Sequence, residues 1–239
     1  MRTARALVMA VAVAALVMLL ASGPGTRLGL WPWQTGFSLL KWAAYTGLAA
    51  AAASVVLVVL LVVPRWRVGG GWVPILALCF GLAAAAPPMI ALERAKSVPP
   101  IHDITTDTFD PPQFLALTAI RATSPNGAKY GGMDVAAQQQ KGYPDIKSAI
   151  LKDPPGKAMQ RAIDAARACG WEVISSDAPS GRIEATDTTL WFGFKDDIVV
   201  RVRPDGAGSR VDVRSVSRVG QSDLGANAKR VREYLSRLQ

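Results

Sequence analysis

The chain changes character near residue 97. Before it lie three apolar runs at residues 6–21, 41–63 and 72–92, the second and third separated only by a short joint. A helix needs roughly 20 such residues to cross a hydrocarbon core about 30 Å thick, and it satisfies its own backbone there. The pattern predicts three transmembrane helices, at about residues 4–22, 41–63 and 72–92, within a membrane region covering residues 1–96. The joint "PRWRVGGG" predicts a tight hairpin, and Pro87-Pro88 should bend or end the third span near its exit. Trp31, Trp33, Trp42, Trp66 and Trp72 fall at or beside the ends, where an interfacial aromatic belt is expected. Gly47 with Ala51, and Gly81 with Ala85, would allow close helix packing. The first run also fits a secretory leader, with Arg2 and Arg5 ahead of an apolar middle and a small-residue end.

Beyond residue 97 the periods shorten. Residues 97–145 are rich in proline, glycine and aspartate and read as an extended tether and loop. Order begins with "DPPGKAMQRAIDAARACG", a helix with Asp153 as N-cap and Gly170 as its stop. Strands follow at residues 171–176, 182–191, 197–204 and 209–218. Ile198, Val200 and Val202 alternate with Arg201 and Arg203, and Val211 and Val213 with Arg210, Asp212 and Arg214. A turn at "DGAG" then places Arg201 opposite Asp212 and Arg203 opposite Arg210. Leu224, Ala228, Val231, Leu235 and Leu238 form one stripe on a final helix. Residues 146–239 are thus expected to be helix, four antiparallel strands and helix, a two-layer α+β domain. The fold class is a membrane-anchored α+β protein.

Charge sharpens this division. Of the net +9, the first 96 residues carry +7, mostly at span flanks. The remainder is nearly balanced, which argues against nucleic acid as a partner. Arg2, Arg5, Arg65 and Arg67 on one side balance Arg27, Lys41, Arg94 and Lys96 on the other, and the first helix then decides for an amino terminus inside the cytoplasmic membrane. With three retained spans, or a cleaved leader and two spans, the α+β domain is then extracytoplasmic. The expected partners are the lipid bilayer and, through the helices, another membrane protein or a second copy.

Candidate chemistry is sparse. His102 is the only histidine, so neither a zinc site of usual type nor a triad is expected, and Asp103, Asp107 and Asp110 lack the spacing of a calcium loop. No metal, cofactor or catalytic residue is assigned. Arg201, Arg203, Arg210 and Arg214 form a strand face that is either solvated or a contact for anionic lipid headgroups. The strand-to-helix joint collects Ser217, Arg218, Ser222, Asp223, Asn227 and Arg230. It reads first as a capped and braced turn, and second as a ligand site at a helix N-terminus, although Asp223 already supplies negative charge there.

The stretches "PPIHDITTDTFDPP", "YPDI", "GWEV", "GRIEATDTTLWFGFKDD" and "VDVRSVSRVGQSDLGANAKRVREYL" resemble the bacterial family of unknown function DUF1499. The resemblance implies an envelope or membrane-anchored protein and brings no catalytic residues. The reading is a non-enzymatic, membrane-anchored envelope protein presenting a binding or accessory domain, with a membrane assembly as its setting. The alternative is an envelope enzyme, or a binder of anionic small ligands or headgroups, using the Arg218–Asn227 joint.

Overall fold

The computed structural model describes residues 1–61, 63 and 71–238. Arg65, Trp66, Arg67 and most of the expected hairpin at residues 64–71 lie outside the described residues. Two compact units result: Met1–Arg94 with Leu190–Gly193, and Ala95–Thr189 with Phe194–Gln239.

The first unit holds helices α1 (Arg2–Arg27), α2 (Trp33–Leu60) and α3 (Trp72–Ser97). All three are long and apolar enough to cross a membrane. Their exposed residues include Val17, Leu20, Val55, Val56, Val59, Ile75 and Leu82, apolar side chains suited to a hydrocarbon surrounding. All three helices run longer than the hydropathy suggests, α1 ending at Arg27 rather than near residue 22. Helix α2 starts at Trp33 rather than residue 41, directly after Pro32. Helix α3 continues through Pro87 and Pro88 to Ser97, so the expected end near residue 92 is corrected. The prolines remove the N–H groups that would reach the Ala83 and Ala84 carbonyls and crowd those carbonyls with their rings, yet the helix runs on past them. Arg5, expected as a flank, lies inside α1 and is buried.

Small residues hold these helices together. Ala12, Ala50 and Ala77 meet in one buried cluster. A methyl group at Gly47 would come within 2.6 Å of the Gly81 carbonyl oxygen, and one at Gly81 within 2.5 Å of the Gly47 carbonyl oxygen. The small-residue stripe is therefore spent within the chain, where two backbones touch. Gly47→Leu is expected to separate α2 from α3 and to lower the thermal midpoint of the full-length protein in detergent, an overpacking cost of about 1–3 kcal/mol. Leu48→Ala, at an exposed position, is the control. Equal midpoints would contradict the packing.

The second unit is built on an antiparallel sheet. Its elements are β1 (Asp103–Thr105), α4 (Thr118–Ala122), α5 (Gly132–Gly142), β2 (Ala149–Leu151), α6 (Pro155–Ala168), β3 (Glu172–Asp177), β4 (Arg182–Thr188), β5 (Lys195–Asp205), β6 (Gly208–Ser217) and α7 (Ala226–Leu238). The strand order is β1-β6-β5-β4-β3, with β2 also paired to β6. Among the described residues six strands thus replace the four expected. Arg201 pairs with Asp212 and Arg203 with Arg210, the register implied by the turn.

Helices α6 and α7 cover one face. Met159, Ala162 and Ala166 of α6 and Ala228, Val231, Tyr234 and Leu238 of α7 pack on Ile183, Ile198, Val200, Val211 and Val213. Trp171 stacks on Tyr234 with centroids 4.9 Å apart, worth about 0.5–1.5 kcal/mol beyond area burial. Gly170 ends α6 at φ 78°. Two local expectations change. Asp153 does not cap α6, whose N-cap is Pro154; its carboxylate pairs with Arg161 instead. Leu224 precedes α7 in a left-handed conformation, φ 55°, so the buried stripe starts at Ala228.

The expected tether is not extended chain. It contributes β1, α4 and α5, and it covers the sheet's second face, where Phe114 and Leu117 pack on Val199 and Val216. Buried Gln139 of α5 finishes the edge at β1. Its amide accepts from Thr105 N–H at 3.0 Å and donates to Thr105 C=O at 2.6 Å, as a neighbouring strand would.

Candidate functional site

The joint between β6 and α7 folds onto itself. Asp223 Oδ1 accepts from Gly225 N–H at 2.8 Å and its Oδ2 from Asn227 N–H at 2.7 Å, while Ser222 Oγ accepts from Leu224 N–H at 3.3 Å. The positive φ of Leu224, Gly225 and Gly220 turns these amides inward. The anion held at this helix N-terminus is the protein's own carboxylate. Burial raises the Asp223 pKa above the usual carboxylate value, against the lowering effect of the two amide bonds.

Ser217, Asn227 and Arg230 gather beneath that cap, on the helix-covered face. Asn227 is fully buried and donates to His102 O and Ser217 Oγ, at 3.0 and 2.9 Å. Arg230 donates to Asp187 and Asp196 at 2.8 and 2.7 Å, and to Asn227 Oδ1 at 2.6 Å. His102, the lone histidine, contributes its carbonyl to Ser217 N–H and Asn227, which makes it a backbone brace.

Arg218 is not part of this group. It follows the last residue of β6, and its side chain goes to Asp197 on the sheet face opposite Ser217. It grips Asp197 through Nε at 2.9 Å and Nη2 at 2.8 Å. Asp197 is fully buried and also accepts from Arg121 Nη1 at 3.0 Å and Thr186 Oγ1 at 2.9 Å. Burial lowers the Arg121 pKa against the pull of Asp197. The six joint residues expected together are thus divided between two networks.

The expected basic face is likewise a network. Arg201, Arg203 and Arg210 all reach Asp107 and Asp212, and the first two also reach Asp110. Arg214 is corrected outright: it is fully buried and bidentate on Asp103, at 2.9 and 2.7 Å, between the rings of Phe114 and Tyr130. No headgroup can touch it there. Burial, with Asp103 adding to it, pushes the Tyr130 hydroxyl up to about 12. Glu184, also buried, accepts the N–H groups of Leu115, Ala116 and Leu117, at 2.7, 3.0 and 2.9 Å. The face therefore carries little uncompensated charge to attract an anionic surface.

Sequence reasoning missed Asp103, Asp107, Arg121, Glu184 and Asp197 as the arginines' partners or their counterparts on this face. One signal was available for two of the carboxylates: Glu184 and Asp212 occupy strand positions whose neighbours on either side are apolar. Beside the lattice lies a cavity of about 340 Å³, bordered by Asp107, Phe109, Gln140, Tyr143, Lys147 and Arg210.

Asp212 carries a pH dependence. Burial alone would raise its pKa, but hydrogen bonds from Ser148, Arg210 and Arg201 outweigh this and leave it lowered. A carboxylate lowered in the folded state contributes stability that is present above the unfolded value, about 3.9. That stability is lost as pH falls through the folded value. Asp212→Asn is expected to lower the urea midpoint at neutral pH and to flatten its decline below about pH 4. Parallel acid profiles would contradict the assignment. Asp223, raised rather than lowered, has the opposite sign: its stability contribution grows as pH falls through its folded value.

Fold and site together define an antiparallel α+β domain cross-braced by arginine–carboxylate pairs, in one chain with three helices of membrane-crossing length. The family described as "Protein of unknown function (DUF1499)" matches residues 103–238, and the chain belongs to it. The match starts at Asp103, the partner of Arg214, and so takes in the residues that cover the second sheet face. No curated protein matches the chain.

Proposed function

We propose that this is a non-enzymatic membrane protein that presents its α+β domain on the extracytoplasmic side of the cytoplasmic membrane as a binding or accessory module. The observation that carries the reading is the use of the domain's polar groups. Asp223, Asn227, Arg218 and Arg230 are consumed by caps and ion pairs within the fold. Groups so engaged rigidify the fold, which favours a bracing role over a catalytic one. The basic residues at the amino terminus support the inside start, and hence an outside domain.

The test has two arms. Lys157→Cys, made with both native cysteines replaced by serine, should react with a membrane-impermeant maleimide in intact cells; labelling only after lysis would reverse the orientation. Native mass spectrometry of the full-length protein in mild detergent should show a stoichiometric protein partner. A retained small anion, lost in Arg218→Ala with the fold intact, would instead make the joint a ligand site.

A further inference from the structure

We propose that the helical unit holds one acyl chain of an anionic phospholipid in an apolar groove, a reading that rests on its helices crossing a membrane. The groove has a volume of about 470 Å³ and lies between Leu19 and Leu20 of α1, Leu40 of α2, and Pro87, Pro88 and Ala91 of α3. Trp191 and Phe192, which are chain neighbours of β4 and β5 but belong to the helical unit, form the remaining wall.

Size and chemistry select the occupant. An apolar cavity of about 150 Å³ already accepts benzene, so this groove has room for a substantial length of hydrocarbon. None of its lining side chains is charged, so a polar guest would lose its hydrogen bonds to water without replacement. Left empty, the lining would forfeit dispersion contacts.

The groove is also built in advance. Trp191 packs directly on Gly23, where any side chain would collide with the indole. Phe192 meets Phe37 edge to face at 5.1 Å. Arg27 Nη1 donates to Leu190 C=O at 2.6 Å, which pins the segment from its other side. These contacts hold the wall without help from a guest, which lowers the ordering cost of binding. Pro87 and Pro88 have compact rings and Ala91 a single methyl, so α3 does not fill the space it faces.

The surroundings supply the ligand. The same helices present bare apolar faces to hydrocarbon, so a chain enters sideways from the bilayer. Arg27 ends α1, Lys41 follows Leu40, and Arg94 stands three residues past Ala91. Arg27 and Arg94 lie in the last turns of α1 and α3, and Lys41 about two turns into α2 from the same end, so that with Glu93 opposing them the balance there is positive and favours an anionic headgroup.

The test uses full-length protein, stripped of lipid by detergent exchange and supplied with dioleoylphosphatidylglycerol or dioleoylphosphatidylcholine. Native mass spectrometry should show one tightly held phosphatidylglycerol that survives removal of the detergent. Ala91→Trp, and separately Leu20→Trp, should fill the groove and weaken retention by roughly tenfold or more. Ala91→Leu serves as a milder filling if either disturbs helicity. A spread of several equivalent adducts, or equal retention in wild type and filled variants, would overturn the groove. Equal retention of phosphatidylcholine would overturn the anionic preference. Alkaline carbonate extraction separates the two levels: release from membranes sinks the membrane reading itself, whereas an integral protein without lipid sinks only the groove.

Discussion

Arg214→Met should be among the most damaging single substitutions in the α+β domain, with a loss of about 3–5 kcal/mol. The arginine and Asp103 are both buried, joined by two parallel hydrogen bonds. Removing the cation leaves a carboxylate in low dielectric, and its desolvation is then uncompensated. The carbonyls of Pro112 and Ala128, which also accept from Arg214, lose their donor. Hydrogen exchange of the full-length protein in detergent reads this directly. Amides of β1 and β6 that open globally should lose about two to three and a half powers of ten in protection. Adding Asp103→Leu removes the stranded charge and should restore a large part of the loss. It should not restore all of it, because the two carbonyls stay unsatisfied. A double variant no more stable than Arg214→Met would show that packing of the guanidinium between Phe114 and Tyr130, rather than the ion pair, carries the effect.

Asp197→Asn is expected to have a comparable cost, again about 3–5 kcal/mol. Asp197 is the hub for Arg121, Arg218 and Thr186, and neither Asp197 nor Arg121 is exposed. The amide keeps the shape but removes the charge, and turns an NH2 group toward guanidiniums that donate only. Arg121, already disfavoured as a cation by burial, is left facing a neutral partner. Arg218→Ala should cost less, about 1–3 kcal/mol, because Arg218 reaches solvent and Asp197 keeps Arg121. The ordering of these two variants, measured by exchange at β4 and β5, tests the hub. If Asp197→Asn were silent, water would have to reach Arg121 and the network would not be structural. The pair also bears on function. A brace loses protection when Arg218 is removed, whereas a binding site loses its ligand at constant protection.

How far the sequence reaches differs from element to element. The β5–β6 register followed from local information alone: alternation set the faces and the short turn set the pairing, so Arg201 opposite Asp212 was fixed before any tertiary contact. The joint shows the limit of the same rule. Ser217 and Arg218 looked like one polar group in the linear chain, yet the period of two that predicted the strand also sends them to opposite faces. Residues 97–145 were the least legible. Their prolines and glycines do mark breaks, but β1 is only three residues long and has no period to detect. Its order comes from pairing with β6 and from the Gln139 amide at its outer edge.

By itself, then, the sequence determined three apolar helices, a four-stranded meander flanked by two helices, and the pairing of its closing hairpin. These are properties of neighbours: hydrophobic runs, alternation and turns act over a few residues. Only the tertiary structure decided that the arginines face inward and that the supposed tether is the layer covering them. Asp103 and Arg214 are 111 positions apart, Arg121 and Asp197 76. Nothing in the local pattern around either member names its partner. A guanidinium becomes a structural brace rather than a surface charge only when a distant carboxylate is folded into hydrogen-bond range and water is excluded from both.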